Sequence, residues 1–319
     1  MRAVVIDQYG SISDVKISDI EKPTAGQGEI LVNVKGASVN PADLKVISGK
    51  DGGKFLHAKI SPIVLGFDFS GVVTEAGSGA TDFKPGDEVF GFLPYSSKNR
   101  HGSFAEYLTI DQKMVALKPK NVSFTEASSS ATTGLTAMQG LRKKGGIKPG
   151  SRLLVNGASG GVGSYAVQIG KADGAEVWGR CSSGSAEFVK SIGADKVIDY
   201  KTTAIGDIDE KFDIVFDTGV SSSYGECKNI LADGGVYITL IPSFALVTGM
   251  IQSIFSSKSC RVFLATAKRS DLSAVSDLIE SGKIKTPIDS TFPMDDFEKA
   301  LRKLEAGGLK GKVAITIDS

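Results

Sequence analysis

The sequence predicts an α/β protein in which a doubly wound parallel sheet is joined to a smaller, β-rich, barrel-like unit. Three observations carry this expectation. From Arg152 onward, short apolar runs alternate with amphipathic stretches in β-α-β-α order, which calls for a parallel sheet with helices on its faces. Before Asn121 the chain instead shows strand-length apolar runs separated by Gly, Pro and Asp turns, the spacing of a compact β unit. Between the two regimes lies "LLVNGASGGVG", Leu153–Gly163, where an apolar run enters a turn with four glycines and a helix-like stretch follows.

At 319 residues the chain is long enough for two domains. The change of pattern places the parallel-sheet unit at residues 124–268, and the β-rich unit at 1–123 completed by a C-terminal return, 269–319. In the first part, "MRAVVID", "EILVNVKGASV", "FSGVVTEAG", "DEVFGFL" and "FAEYLTI" read as strands. "FKPGDEV" is a turn, with Pro85 fixing φ and Gly86 free to take φ > 0. Ser123 and Glu126 form a capping box that starts a helical stretch. "RLLVNGA", "AEVWGRC", "KVIDY", "FDIVFDTG" and "GGVYITLI" read as strands, and "VGSYAVQIGKADG", "SAEFVKSIGA" and "SYGECKNILAD" as the helices between them. "DLSAVSDLIESGK" reads as the last helix and "KGKVAITI" as the closing strand.

Composition narrows the function classes. The net charge is +1, from 37 basic and 36 acidic residues without a basic block, so nucleic acid is not an expected partner. Cys181, Cys227 and Cys260 are far apart in sequence. That spacing argues against a disulfide framework or structural zinc and fits a reducing, cytoplasmic setting. The apolar run in "MRAVVIDQYG" is too short for a cleavable targeting peptide. Gly234–Ser257 carries no charge, but Pro242, Gly249 and several serines interrupt it. It reads as a buried strand followed by an apolar interface segment, not a transmembrane span.

Gly157, Gly160 and Gly163 have G-x-x-G-x-x-G spacing between a strand and a helix. That context suits a dinucleotide: one glycine permits the turn, one lets phosphate approach, and one lets helix pack on strand. Ser159, Gly161 and Val162 complete the turn, whose free amides and helix dipole would face the pyrophosphate. An NAD site wants an acid at the end of the second strand. Here "AEVWGRCSS" has its only acid, Glu176, at its start, and ends in Arg180, Cys181, Ser182 and Ser183. Hydroxyls and a cation suit a 2′-phosphate, with Tyr200 and Lys201 following the next strand, so the expected cofactor is NADPH.

These blocks, with "SVNPADLKVISG", "PIVLGFDFSGVVTEAGSGATDFKPGDEVFG", "GLTAMQGL", "FVKSIGADKVIDY" and "GLKGKVAI", resemble the zinc-independent, quinone oxidoreductase-like branch of the medium-chain dehydrogenases/reductases over nearly the whole chain. "NPADLK" and "EFVKSIGADKVIDYK" look closest to plant enone and alkenal reductases. The resemblance implies a Rossmann cofactor domain and a GroES-like catalytic domain. Zinc-dependent relatives place cysteine where Ser38 stands, His-Glu where Phe67 and Asp68 stand, and a four-cysteine lobe within Asp82–His101, where this chain has none. No metal ligands are therefore expected, and His57 and His101 read as loop residues, His101 at an exposed rim.

Reduction of an enone gathers charge on the carbonyl oxygen, which the protein must hold. Asn40 can hold a carboxamide or a ribose hydroxyl, or simply form the turn before Pro41. Asp43 can order the loop or orient a donor. The resemblance brings Lys45 within reach of the ribose or the oxygen, against the alternative of a surface lysine. It also implies that Thr136 lies near the nicotinamide, against a helix hydroxyl bonded to its own backbone. Thr218 and Gly219 in "DTGV", then Leu240 with Ile241, and Lys312 are further cofactor contacts by resemblance. Pro94–Gly102 and Pro242–Met250 are expected to shape the substrate pocket.

The activity so implied is NADPH-dependent reduction of activated double bonds or quinones. The alternatives are an enoyl-thioester reductase, which would want a basic pocket for phosphates, and a low-turnover NADPH-binding sensor. A homodimer is also expected. In this family the last strand of the cofactor sheet, here about Cys260–Leu264, often pairs with its symmetry mate.

Overall fold

The computed structural model describes residues 1–240, 248–251, 253 and 256–318. The N-terminal part supplies β1 (Arg2–Ile6), β2 (Lys16–Asp19), β3 (Glu29–Ser38), α1 (Pro41–Ser48), β4 (Ile63–Val64), β5 (Asp68–Ala76), β6 (Glu88–Phe92), β7 (Tyr107–Asp111) and β8 (Val115–Leu117). Strand β3 is the hub, pairing antiparallel with both β5 and β7. Val32, Val34, Phe67, Phe69, Phe104 and Leu108 fill the core beneath it. The turn "FKPGDEV" does require glycine, since Gly86 has φ 97°. Helix α1 starts where Asn40 and Pro41 favour an N-terminus, and the Asn40 amide donates to Asp43 Oδ2 at 2.6 Å.

Helix α2 (Phe124–Met138) begins at the expected capping box: the Ser123 amide donates to Glu126 Oε2 at 2.8 Å, and the Glu126 amide to Ser123 Oγ at 3.3 Å. Its Ala127, Ala131 and Leu135 pack on Phe90 and Phe92 of β6. Its last turn, Ala137 and Met138, enters a second core with Leu153, Val155 and Phe216. One helix thus serves both halves, and a π-helical turn, Gln139–Gly145, follows it.

The second half contains β9 (Arg152–Asn156), α3 (Gly161–Ala172), β10 (Glu176–Cys181), α4 (Ala186–Ser191), β11 (Lys196–Asp199), β12 (Phe212–Asp217), α5 (Tyr224–Cys227), β13 (Leu231–Thr239) and β14 (Ser259–Val262). The described strands pair in parallel in the order β11-β10-β9-β12-β13-β14. The order reverses between β9 and β12, the switch point at which ligands bind beyond the strands' carboxyl ends. Strand β14 forms the edge among the described residues, close to where "CRVFL" predicted it.

The chain then adds α6 (Arg269–Glu280), β15 (Ile288–Pro293), α7 (Phe297–Ala306) and β16 (Lys312–Thr316). Strand β16 pairs antiparallel with β3 and parallel with β15, so the C-terminus does return to the first sheet.

Several details differ from expectation. "SYGECKNILAD" forms only the short helix α5, because Leu231 already pairs with Phe212 in the sheet. Helix α7 lies beyond the helix expected to be last, with Phe297, Ala300 and Leu301 buried on one face. His101 is not at a free rim, since its ring approaches Thr109 Oγ1 at 3.1 Å. His57 is buried, with Nε2 3.1 Å from the His101 carbonyl, and burial holds both imidazoles below their ordinary pKa. Of the uncharged stretch, 241–247, 252, 254 and 255 lie outside the described residues. Among those described, no helix is long and apolar enough to cross a membrane.

Candidate functional site

The cleft between the halves holds two connected cavities. The larger, of 540 Å³, lies at the glycine turn. Gly157 ends β9 with φ 82°, and a Cβ on it would stand 2.8 Å from the Gly219 amide nitrogen. A Cβ on Gly163 would lie 2.1 Å from the Gly157 carbonyl oxygen, so only glycine lets α3 sit this close to the strand. Gly160 precedes α3, and a Cβ there would meet nothing closer than 3.5 Å, leaving room for a ligand over the helix N-terminus. Ser159, Gly161 and Val162 line the same wall. The first-turn amides have no intrahelical partner, so the cradle fits a pyrophosphate.

At its far end the cavity is lined by Ser182 and the half-exposed Tyr200, while Ser183 stands exposed at the start of the next turn. Arg180 is not free to meet a phosphate. Its Nη1 donates to Asn156 Oδ1 at 3.0 Å and its Nη2 to the Thr203 carbonyl at 3.2 Å. Asn156 Nδ2 in turn donates to Asp217 Oδ1 at 2.9 Å and to Ser222 Oγ at 2.7 Å. Asp217 is buried, and burial raises its pKa. Thr218 Oγ1 donates to the Asn156 carbonyl at 2.8 Å, fixing Thr218 and Gly219 on the cavity wall.

Beneath the cleft lies a buried polar cluster that sequence spacing does not reveal. Asp68 is wholly buried. Its Oδ2 accepts from Ser38 Oγ at 2.7 Å, Asn40 Nδ2 at 2.9 Å and Lys312 Nζ at 3.3 Å. Its Oδ1 accepts from the Thr132 amide at 3.1 Å and from the Thr132 hydroxyl. Lys312 also donates to the Val39 carbonyl and to Asn40 Oδ1, both at 2.7 Å. Its ammonium therefore points into the protein, and its stem borders the glycine turn, where Cδ lies 2.9 Å from a Cβ placed on Gly161.

Asn40 uses both hydrogens of its amide, the second on the Ser38 carbonyl at 3.3 Å, so it has none left to donate to a cofactor. Asp43 is fully buried, and burial raises its carboxyl to about 7 against the opposing pull of the Asn40 amide and Lys312. Its Oδ1 has no hydrogen-bond partner. The sequence signal for this cluster is Asp68 itself, a carboxylate set between Phe67 and Phe69 in an apolar strand.

The smaller cavity, of 230 Å³, shares Asn40, Pro41, Thr133, Val162 and Thr218 with the first. Lys45, Thr136 and Leu240 line it, and Leu56, Phe263 and Ala265 make it largely apolar. Lys45 is half-buried and pairs with no carboxylate among the described residues. Tyr95, from the segment expected to shape the pocket, also lines it and was not singled out in the sequence. Ile241 and most of Pro242–Met250 lie outside the described residues.

Known proteins share this sequence pattern and fold. Residues 26–120 match the alcohol dehydrogenase GroES-like domain, and residues 192–315 match the zinc-binding dehydrogenase family. The chain is 35% identical to the 2-methylene-furan-3-one reductase of Solanum lycopersicum, covering 99% of this chain and 79% of that protein. It is 33% identical, with the same coverage, to the chloroplastic NADPH-dependent alkenal/one oxidoreductase of Arabidopsis thaliana. The structure of the quinone oxidoreductase from Coxiella burnetii superposes with a TM-score of 0.91 at 27% identity, over 100% of this chain and 99% of that one. With its parallel cofactor sheet, its separate mixed sheet and these relatives, the chain belongs to the quinone oxidoreductase-like branch of the medium-chain dehydrogenase/reductase family and is an NAD(P)H-dependent oxidoreductase.

Proposed function

We propose that the protein is an NADPH-dependent reductase of activated double bonds, in α,β-unsaturated ketones and aldehydes, or of quinones, and that it works without zinc. The observation that carries this reading is the junction of a dinucleotide cradle with a small, mostly apolar cavity whose polar groups come from α1, Tyr95, α2 and Thr218. Bound NADPH supplies a hydride to an electron-poor carbon. The glycine turn would hold the pyrophosphate, and Ser182, Ser183, Tyr200 and Lys201 the 2′-phosphate. No acid ends β10, and Asp199 at the end of β11 accepts from the Lys201 amide at 2.8 Å. Thr136, Thr218, Gly219 and Leu240 would place the ring, Lys312 acting through its stem and through Asn40. Lys45 would support the ribose or the oxygen, and Asp43 would hold the start of α1, the helix that carries it, through the Asn40 amide.

Zinc chemistry does not suit the donor set. Phe67 offers no ligand atom, Ser38 spends its proton on Asp68, and among the described residues no three His, Cys, Asp or Glu side chains group together. The three cysteines are unpaired and buried, which supports a reducing compartment such as the cytoplasm.

The test is NADPH consumption by exhaustively chelated enzyme with 2-alkenals, enones and quinones, alongside cofactor titration by fluorescence. Turnover should survive chelation. NADPH should bind at least roughly ten-fold tighter than NADH, the worth of one charge-assisted hydrogen bond, and Ser183→Asp should move the preference toward NADH. Equal dissociation constants would overturn the 2′-phosphate assignment, and loss of turnover on removing stoichiometric zinc would overturn the metal-free reading.

A homodimer built on the β14 edge is also proposed. Leu264 just beyond β14 and Met250 and Ile251 are exposed apolar side chains in the neighbouring sequence. Light scattering at micromolar concentration should report a dimer, and a monomer would refute it.

A further inference from the structure

The polar side chains around the smaller cavity are not equally free. Asn40 donates both amide hydrogens within the protein. Thr132 gives its hydroxyl hydrogen to Asp68, Thr133 to the Ser129 carbonyl at 2.6 Å, and Thr218 to the Asn156 carbonyl. Among the described residues, Lys45, Thr136 and Tyr95 give no hydrogen to a carboxylate or a backbone carbonyl. Of these, Tyr95 combines a rigid mount with a place on the catalytic side. Its ring meets Phe67 edge-on at 4.6 Å between centroids and Phe92 at 6.0 Å. Both phenylalanines belong to packed cores. The hydroxyl lies beside Thr132, whose own hydrogen is fixed on the buried Asp68 carboxylate.

Resting on the reductase reading above, we propose that Tyr95 is a catalytic residue. Its phenol donates a hydrogen bond to the substrate carbonyl oxygen and holds the charge that gathers there. Thr132 is no rival donor, because its hydrogen is committed to Asp68; its oxygen can take the phenol's one hydrogen in the free protein, and the substrate carbonyl takes that hydrogen over on binding. Val162, Thr218 and Leu240 stand on the cofactor side of the same cavity. A conjugated carbonyl compound that hydrogen-bonds Tyr95 is therefore covered on its other side by the cofactor half. This geometry selects short, largely apolar substrates with a carbonyl acceptor facing Tyr95.

Burial, and then the nearby Asp68 and Asp43 charges, push the phenol far above its ordinary pKa. Tyr95 therefore keeps its proton and acts as a hydrogen-bond donor. As the hydride of bound NADPH would form the new C–H bond at the β-carbon, the C=C pair would shift to join the α-carbon to the carbonyl carbon and the C=O π pair would move onto the oxygen as an enolate. Water then supplies the proton at the α-carbon and restores the carbonyl.

Tyr95→Phe keeps the ring packing and removes only the donor. With enones it should lower kcat/KM by roughly 100- to 1000-fold, with an unchanged NADPH dissociation constant. A second readout needs no cofactor: the infrared carbonyl stretch of cyclohexanone bound to the cofactor-free protein. The wild-type band should lie to the red of its value in hydrocarbon solvent, and Tyr95→Phe should return it toward that value. An unshifted wild-type band would overturn the proposal, as would a Tyr95→Phe enzyme with unchanged kcat/KM. Wild-type enzyme that oxidises no NADPH with any such substrate would instead sink the reductase reading, while the cyclohexanone band would still report on Tyr95.

Discussion

Lys312→Met is expected to cost roughly 3–5 kcal/mol of stability, the usual effect of removing one partner from a buried ion pair. At about 2–4 °C per kcal/mol for a large domain this is a fall in Tm of roughly 6–20 °C. The side chain's charge sits among Asp68, Asn40 and the Val39 carbonyl, and methionine leaves the Asp68 carboxylate buried without its cation. Lys312→Met/Asp68→Asn should recover part of the loss, because both charges are then gone.

The deficit should also depend on pH, through Asp43. In the folded protein that carboxyl keeps its proton to about pH 7, while its ordinary value is 3.8. This group therefore favours the folded state fully below 3.8, and that advantage fades as the pH rises to about 7. Lys312 opposes the rise, so removing it carries the window further upward, and the variant's deficit should widen above pH 7. Thermal melts from pH 5 to 8.5 read both effects. A variant melting within a degree of wild type would show that the cluster contributes little.

Lys45→Met is expected to lower kcat by roughly ten- to a thousand-fold, on the order of 1.4–4 kcal/mol, with little change in NADPH affinity. Methionine keeps most of the length and removes the charge. Lys45 lines the smaller cavity and forms no ion pair among the described residues, which leaves its ammonium open to a ligand there. Steady-state turnover with a short enone, together with cofactor titration, checks this. Unchanged turnover would return Lys45 to the role of a surface lysine and leave Tyr95 and Thr136 as the donors that matter.

The cofactor end was legible in the sequence because its physics is local. Gly157, Gly160 and Gly163 fall within one turn, and the strand before them and the helix after them can be read from periodicity. The catalytic end was not. Ser38, Asp68, Thr132 and Lys312 come from distant parts of the chain and meet only after β3, β5, α2 and β16 have packed. Spacing along the sequence carries no trace of such a meeting.

Arg180 shows the same limit. Its place at the end of β10 suggested a phosphate ligand, while its partners, Asn156 and the Thr203 carbonyl, belong to other segments. Short strands such as β4, and β15 with its terminal Pro293, gave no alternation to read. Helix α7 was missed although Phe297, Ala300 and Leu301 lie on one buried face.

Helix α2 fixes a distance. Thr132, which anchors Asp68, and Thr136, which lines the smaller cavity, stand four residues apart on one continuous helix. At about 1.5 Å per residue that is a span of about 6 Å along the axis. Both ends of the helix are held in packed cores, one in each half. The helix therefore works as a ruler. The spacing between the Asp68 anchor and the Thr136 wall of the smaller cavity is set by helix geometry, and any change in the cleft would have to be taken up in the loops that cross from one sheet to the other.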